Sequence, residues 1–136
     1  MDSMETARLA ALPAHSRALK LAGRAKEYFN RGLLLEAERL YQSAVADDTK
    51  LAEAHAGLAA VRERTGDATS ARKEANEALQ ISPSADAYLV LTRLDIAENH
   101  MDDASREISE ALKLDPASRT AQELNRQIAA RTGKSQ

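Results

Sequence analysis

The sequence predicts an all-α fold built as an open stack of helix pairs, and two observations carry this prediction. The first is composition: the 136 residues include 28 alanines but only four aromatic side chains. Alanine is the strongest helix former, whereas strands favour β-branched and aromatic residues. The second is a repeat with steps of 34 and then 33 residues, seen in four series: Gly32, Gly66 and Asn99; Ala37, Ala71 and Ala104; Ala44, Ala78 and Ala111; Thr49, Pro83 and Pro116. Because each repeated unit buries its apolar side only against its neighbours, function is expected on the surface of the stack.

The periodicity and the turn residues predict eight helices. Pro13 ends the first, since proline disfavours the helical conformation of the residue before it. Gly32 and Gly66 turn the chain, Asn99 takes the equivalent left-handed position, and Asp67 is a suitable N-cap. The predicted helices span residues 3–12, 17–30, 33–47, 51–64, 67–81, 84–98, 101–114 and 117–131.

These helices suggest one domain with four parts. An N-terminal extension covers residues 1–16, and three repeats cover 17–116, divided at about 18–51, 52–84 and 85–116. The helix over 117–131 has one apolar stripe and a broad polar surface, as a capping helix at the open end of a stack requires. Residues 132–136 are expected to be a disordered tail.

Charge and hydropathy narrow the classes of partner. Nineteen basic and 21 acidic residues give a net charge of −2, with no basic run and no interleaved aromatic residues. Nucleic-acid binding is therefore not expected. No apolar stretch approaches the roughly 18 residues that span a membrane, and the N-terminus lacks signal-peptide features. We expect a cytoplasmic protein without membrane insertion; a soluble piece of an exported or anchored chain is the alternative.

The repeated residues resemble the tetratricopeptide repeat, a helix–turn–helix of 34 residues. The matches are Ala25, Tyr28, Gly32, Ala37, Tyr41 and Ala44; then Leu58, Ala59, Gly66, Ala71, Ala78 and Pro83; then Tyr88, Leu91, Ala104, Ala111 and Pro116. The departures are Thr49 for proline, Ala75 for an aromatic residue and Asp95 for tyrosine. The resemblance implies a right-handed α-solenoid in which the first helix of each pair, the A helix, lines a concave groove that binds a protein or peptide.

The same resemblance identifies candidate groove residues on the A helices and the last helix. The candidate partner-binding residues are Leu19, Lys26, Phe29, Asn30, Glu63, Arg64, Leu89, Arg93, Ile96 and Arg126. Four of them, Lys26, Arg64, Arg93 and Arg126, suit an acidic ligand if they form a basic line; the favoured alternative is a mixed-charge face with cross-helix ion pairs. The apolar members are expected to anchor a partner side chain, with burial between A helices as the alternative.

Two further patterns leave alternatives open. Gly23 and Gly57 occupy the same repeat position inside A helices, where glycine costs about 1 kcal/mol relative to alanine. Tight packing between successive A helices is the favoured reason, and close approach of a ligand backbone is the other. The spacing of Lys26 and Asn30 resembles part of the family's carboxylate clamp, but the two residues lie one turn too late. The predicted helix over 51–64 contains no asparagine and the one over 84–98 offers only Arg93, so a clamp is not expected.

No motif predicts chemistry. The three histidines have no metal-like spacing, and there is no phosphate-binding glycine loop, nucleophile elbow or paired-carboxylate motif. We therefore expect no enzyme activity, metal or cofactor, and a non-catalytic module that binds a partner segment in its groove. The alternative is a structural scaffold, a self-associating module or a fragment of a longer array. Self-association would use the end helices or the edge Leu33 to Leu35, part of which the leading helix is expected to cover through Leu9 and Leu12.

Overall fold

The computed structural model describes residues 2–133, which form eight α-helices and no strand. The helices are α1 (Ser3–Ala10), α2 (Ala14–Asn30), α3 (Leu34–Asp47), α4 (Ala52–Arg64), α5 (Ala68–Ile81), α6 (Ala85–Ala97), α7 (Met101–Leu114) and α8 (Arg119–Thr132). The predicted all-α class and number of helices are confirmed, with the ends differing by a few residues.

Local chemistry defines the helix ends. Gly32 and Gly66 have φ of 79° and 90°, and Asn99 has a φ of 61°, so asparagine does take the glycine position in the third turn. Side chains accept hydrogen bonds from first-turn backbone N–H groups at four N-caps: Asp2, Asp67, Ser84 and Ser118. The last helix continues to Thr132 and ends at Gly133, whose φ is 73°. Residues 132 and 133 therefore belong to the end of this helix, and the rest of the expected tail, residues 134–136, lies outside the described residues.

The stack consists of three antiparallel pairs, α2/α3, α4/α5 and α6/α7, followed by α8. The A helices α2, α4 and α6 pack in succession, and α8 contacts both α6 and α7 as a cap. Alanines without solvent exposure line the close crossings, which is why the predicted rows Ala37/Ala71/Ala104 and Ala44/Ala78/Ala111 recur. The small side chains therefore set helix spacing rather than fill a single large core.

The leading helix does not cover the leucine edge. Among the described residues α1 contacts only α2, where Leu9 and Leu12 join the first apolar cluster. Leu33 and Leu35 stay 37% and 55% exposed at the start of α3. The expectation that α1 covers part of this edge is wrong, because α1 packs on α2 and makes no contact with α3.

None of the helices within residues 2–133 combines the length and the apolar composition that crossing a bilayer requires.

Candidate functional site: the concave groove

The A helices line one continuous groove of about 630 Å³, which we call the concave groove. Its floor is made of small residues, alanine and glycine, that belong to the A helices α2 and α4. The floor residues are Ala22, Gly23, Ala52, Ala56, Gly57 and Ala60. Polar and larger side chains form the rest of the lining: Lys26, Phe29, Asn30, Tyr41, Glu53, Ser82, Ser84, Asp86, Leu89, Val90, Arg93 and Thr120.

Five of the ten candidate residues line this groove: Lys26, Phe29, Asn30, Leu89 and Arg93. Leu89 is buried against residues of α7 and α8, so it supports the floor rather than standing free.

The other five candidates lie beside the lining. Leu19 is exposed on α2, and Ile96 packs with the apolar cluster of α6, α7 and α8. Arg126 pairs with Glu123 on its own helix, at 2.7 Å. Glu63 and Arg64 contact side chains that line the groove.

Two groove arginine candidates are engaged within the protein. Arg93 on α6 donates two hydrogen bonds to Glu63 on α4, from Nε to Oε2 at 2.7 Å and from Nη2 to Oε1 at 2.9 Å. The Arg64 guanidinium stacks over the Phe29 ring, 5.3 Å from its centroid. The basic line therefore does not form, and the cross-helix ion pair of the mixed-charge alternative is present.

Tyr41 is the largest of the groove-lining residues that sequence reasoning missed; the others are Ala52, Ser82, Ser84 and Thr120. The sequence pattern placed Tyr41 in the core of α3, and its side chain is indeed only 5% exposed. Its ring, however, extends to α4 and ends in the lining of the groove. Burial, together with the nearby carboxylates of Asp86 and Glu53, raises the pKa of its hydroxyl to about 12, so the group is neutral.

The two glycines at the same repeat position have different roles. A Cβ at Gly57 would collide with Cε1, Cζ and Oη of Tyr41, so glycine is needed there for packing, but against a ring of α3 and not between successive A helices as predicted. A Cβ at Gly23 would meet nothing within 4 Å, so the packing explanation is wrong for Gly23. The signal that could have exposed Tyr41 was the pairing of a glycine on one repeat with a ring on the previous one.

Two groups of side chains outside the groove bring histidine near carboxylates. The buried His55 ring faces Glu74 Oε2 from Nδ1 at 2.8 Å and the Thr49 carbonyl oxygen from Nε2 at 2.9 Å. Burial lowers the pKa of His55, but hydrogen bonds to Glu74 and Thr49 and the charges of Glu74 and Glu77 outweigh it and raise the pKa overall. Both ring nitrogens face acceptors, which fits a doubly protonated ring packed between helices.

In the second group, His100 and Glu98 lie beside the buried Asp95. The guanidinium of Arg72 donates to Asp95 Oδ1 at 2.9 Å and to Glu98 Oε2 at 3.2 Å. The Arg72 guanidinium thus forms ion pairs with both of these carboxylates.

No protein-family model matches the chain, and neither does any curated protein. Solved structures do match. The first TPR of Spaghetti (RPAP3), bound to the HSP90 peptide SRMEEVD, has a TM-score of 0.77 at 21% identity, over 88% of this chain and 96% of that one. The Arabidopsis OM64 TPR domain has a TM-score of 0.78 at 16% identity, over 87% and 98%.

The second TPR domain of human RPAP3, in complex with the HSP70 peptide SGPTIEEVD, has a TM-score of 0.72 at 20% identity, over 85% and 97%. These similarities cover 85–88% of the chain. The chain therefore has the fold of the tetratricopeptide-repeat domains, a right-handed α-solenoid.

Proposed function

We propose that the protein is a non-catalytic interaction module that binds a peptide segment or helix of a partner protein in the concave groove. The observation that carries the proposal is the groove itself, open along three A helices with a floor of small residues that lets a ligand backbone approach closely. Two domains of the same fold hold peptides in their solved complexes, which supports a binding role for this fold.

The ligand is expected to differ from the carboxyl-terminal EEVD peptides of those two complexes. Arg93 is already bound to Glu63, and Arg64 lies on Phe29. Lys26 is left as the groove's free cation within residues 2–133, while Glu53 and Asp86 line the groove with negative charge. The last residue of those peptides is an aspartate, which carries a side-chain carboxylate as well as the terminal one. Glu53 and Asp86 would repel both groups.

Gly23 allows the groove to be blocked without touching the core. Its Cβ position is open, so Gly23→Ala should fold well and Gly23→Tyr should project a ring into the groove. A library of random peptides about 12 residues long, each spanning about 40 Å when extended, would be displayed on phage and selected on the wild-type chain. Recovered peptides are expected to bind wild type and Gly23→Ala with about micromolar affinity, and Gly23→Tyr at least about tenfold more weakly.

Circular dichroism melts of all three proteins provide the folding control. Equal binding to Gly23→Tyr and Gly23→Ala would place the site outside the groove. Reversing Arg93 would be a poorer test, because the new carboxylate would face Glu63 and disturb the fold as well.

Self-association is a second candidate, and the exposure of Leu33 and Leu35 at one end of the stack favours it. Light scattering over a concentration series would detect it as a mass that rises with concentration. The rise should be absent in Leu33→Ser/Leu35→Ser. A monomer at every concentration would remove this candidate and the corresponding scaffold role.

A further inference from the structure

A hydroxyl without a partner lies on the wall of the concave groove. Tyr41 on α3 is only 5% exposed, yet the hydroxyl end of its ring lines the groove beside Gly57. Within residues 2–133 the hydroxyl makes no hydrogen bond with the protein, whereas the buried His55 ring faces an acceptor from each of its nitrogens. A phenol oriented this way can donate one hydrogen bond to a ligand and accept another from it.

Two carboxylates flank this hydroxyl from the neighbouring A helices. Glu53 is in the first turn of α4 and Asp86 in the first turn of α6, at equivalent positions of successive repeats. Both side chains line the groove and are exposed, and neither forms an ion pair or side-chain hydrogen bond with another described residue. Tyr41, Glu53 and Asp86 all line the same groove, and the two carboxylates contribute to the raised pKa of Tyr41.

The cations of the groove do not neutralise this region. Arg93 is held by Glu63, and Arg64 is held over Phe29. Lys26 is seven residues beyond the α2 position equivalent to Glu53, a distance of about 10 Å along the helix axis. The groove therefore has an acidic end, formed by Tyr41, Glu53 and Asp86, and an end where charges are mixed or paired.

The geometry points to a binding site for a basic side chain at this acidic end: a lysine or arginine of the bound protein segment, held by the Glu53 and Asp86 carboxylates and by the Tyr41 hydroxyl. An ammonium or guanidinium supplies several N–H donors and no acceptor, which matches two carboxylates and a hydroxyl oxygen. The inference rests on the proposed function and specifies the chemistry of its ligand.

A competing explanation is purely structural. Acidic residues in the first turn stabilise a helix through its dipole, and Glu53 and Asp86 both have that placement. Under this explanation, neutralising them would change stability but not the choice of ligand. The experiment must therefore read ligand preference as well as folding.

The probe is the random phage-displayed peptide library, selected in parallel on wild type and on Glu53→Gln/Asp86→Asn. On wild type, we expect lysine or arginine to be enriched at one peptide position, and the enrichment to disappear on the double variant. The strongest peptide is then synthesised with that basic residue and with norleucine in its place. Wild type should bind the norleucine peptide at least about tenfold more weakly, and the double variant should bind both peptides within about threefold.

Tyr41→Phe tests the hydroxyl separately. It retains the ring against Gly57 and removes a group with no partner in the described protein, so the fold should be unchanged. We expect this substitution to weaken binding of the basic peptide by several-fold and to leave binding of the norleucine peptide unchanged. Equal losses for both peptides would overturn the role of the hydroxyl.

The outcomes separate this inference from the proposed function. Peptides that depend on the groove, as judged by Gly23→Tyr, but show no basic preference would overturn the inference and leave the proposed function intact. A basic preference that persists on Glu53→Gln/Asp86→Asn would also overturn it, because the cation would then be bound elsewhere. Recovery of no groove-dependent peptide would overturn the proposed function, and the inference with it.

Discussion

The two junctions between successive repeats each pair a larger residue with a smaller one, but the larger residue is on opposite helices in the two cases. At the first junction, where α3 meets α4, the large Tyr41 lies against Gly57. At the second, where α5 meets α6, the equivalent residues are Ala75 and Val90, which are buried in one apolar cluster. At the first junction the larger residue, Tyr41, belongs to the second helix of a pair, α3. At the second junction the larger residue, Val90, belongs to an A helix, α6. The total volume across each junction is thereby kept, as close packing requires.

Each of the two junctions also has an ion pair, and the acidic and basic residues are on opposite helices in the two cases. Glu38 of α3 pairs with Arg62 of α4 at 2.9 Å, whereas Arg72 of α5 pairs with Asp95 of α6 at 2.9 Å. These are equivalent repeat positions with the signs reversed. Ala75 and Asp95, which look like departures from the repeat, are therefore matched by changes in the facing helix.

The junctions differ in how deeply the charge is buried. Asp95 is only 2% exposed and also bonds with Glu107, whereas Glu38 and Arg62 retain more contact with water. Burial, and then the hydrogen bond and charge of Asp95, raise the pKa of Glu107 to about 8. Glu107 thus carries the proton that the two carboxyls share, while Arg72 helps to keep Asp95 ionised. The comparison teaches that equivalent positions are constrained in pairs, and that burial sets the cost of breaking a pair.

The largest expected effect comes from breaking the size match at the first junction. Tyr41→Ala should lower the free energy of unfolding by about 3–5 kcal/mol, because it leaves a cavity beside Gly57. Gly57→Val alone should cost about 1–3 kcal/mol by overpacking against the ring. Tyr41→Ala/Gly57→Val copies the second junction and should be at least about 1 kcal/mol more stable than Tyr41→Ala.

Urea unfolding followed by circular dichroism measures this double-mutant cycle. Additive effects of the two substitutions would contradict the paired constraint. Helix propensity alone favours valine over glycine by only a few tenths of a kcal/mol, so a larger rescue must come from the junction itself.

The next effect separates the two ion pairs. Arg72→Met should cost about 3 kcal/mol, because it removes the cation from the buried Asp95. Glu38→Gln should cost no more than about 1 kcal/mol, because its pair is better solvated. Arg106→Met is the matched control: the Arg106 side chain is 71% exposed in its pair with Asp103. Similar costs for Arg72→Met and Glu38→Gln in chemical denaturation would show that burial does not distinguish the junctions.

The remaining prediction is a change in the pH dependence of stability. The folded pKa of Glu107, about 8, lies above its unfolded value near 4.5, so the folded state retains a proton that the unfolded chain releases. The contribution of this carboxyl to stability is complete below about pH 4.5 and declines as the pH rises to 8. Glu107→Gln cannot titrate and should therefore be as stable as wild type near pH 4.5 and more stable near pH 8.

Thermal or urea unfolding at several pH values between 4.5 and 8 tests this prediction. The raised pKa of His55 makes a decline of the same sign above about pH 6.5, but His55 is present in both proteins and cancels in the difference. Wild-type and Glu107→Gln curves that run parallel over this range would contradict the shared proton.

Sequence by itself determined the stack: eight helices, their turns at Gly32, Gly66 and Asn99, and the buried alanine rows. These features depend on the helical period and on backbone preferences within a few residues, so they can be read along the chain. The fold follows from them, whereas the candidate groove residues came from the resemblance to the tetratricopeptide repeat, and five of the ten line the groove.

Tertiary structure alone decided which groove side chains are available to a ligand. Arg93 is occupied because Glu63 lies one repeat away, Tyr41 reaches the groove because Gly57 leaves room for it, and Gly23 stays open because no ring faces it. Each outcome depends on a contact between residues that are far apart in sequence, and the volume and charge of both partners decide it. The position of a residue in the repeat therefore determines which helix face it is on. The residue that it contacts on a neighbouring helix determines whether its side chain is available to a ligand.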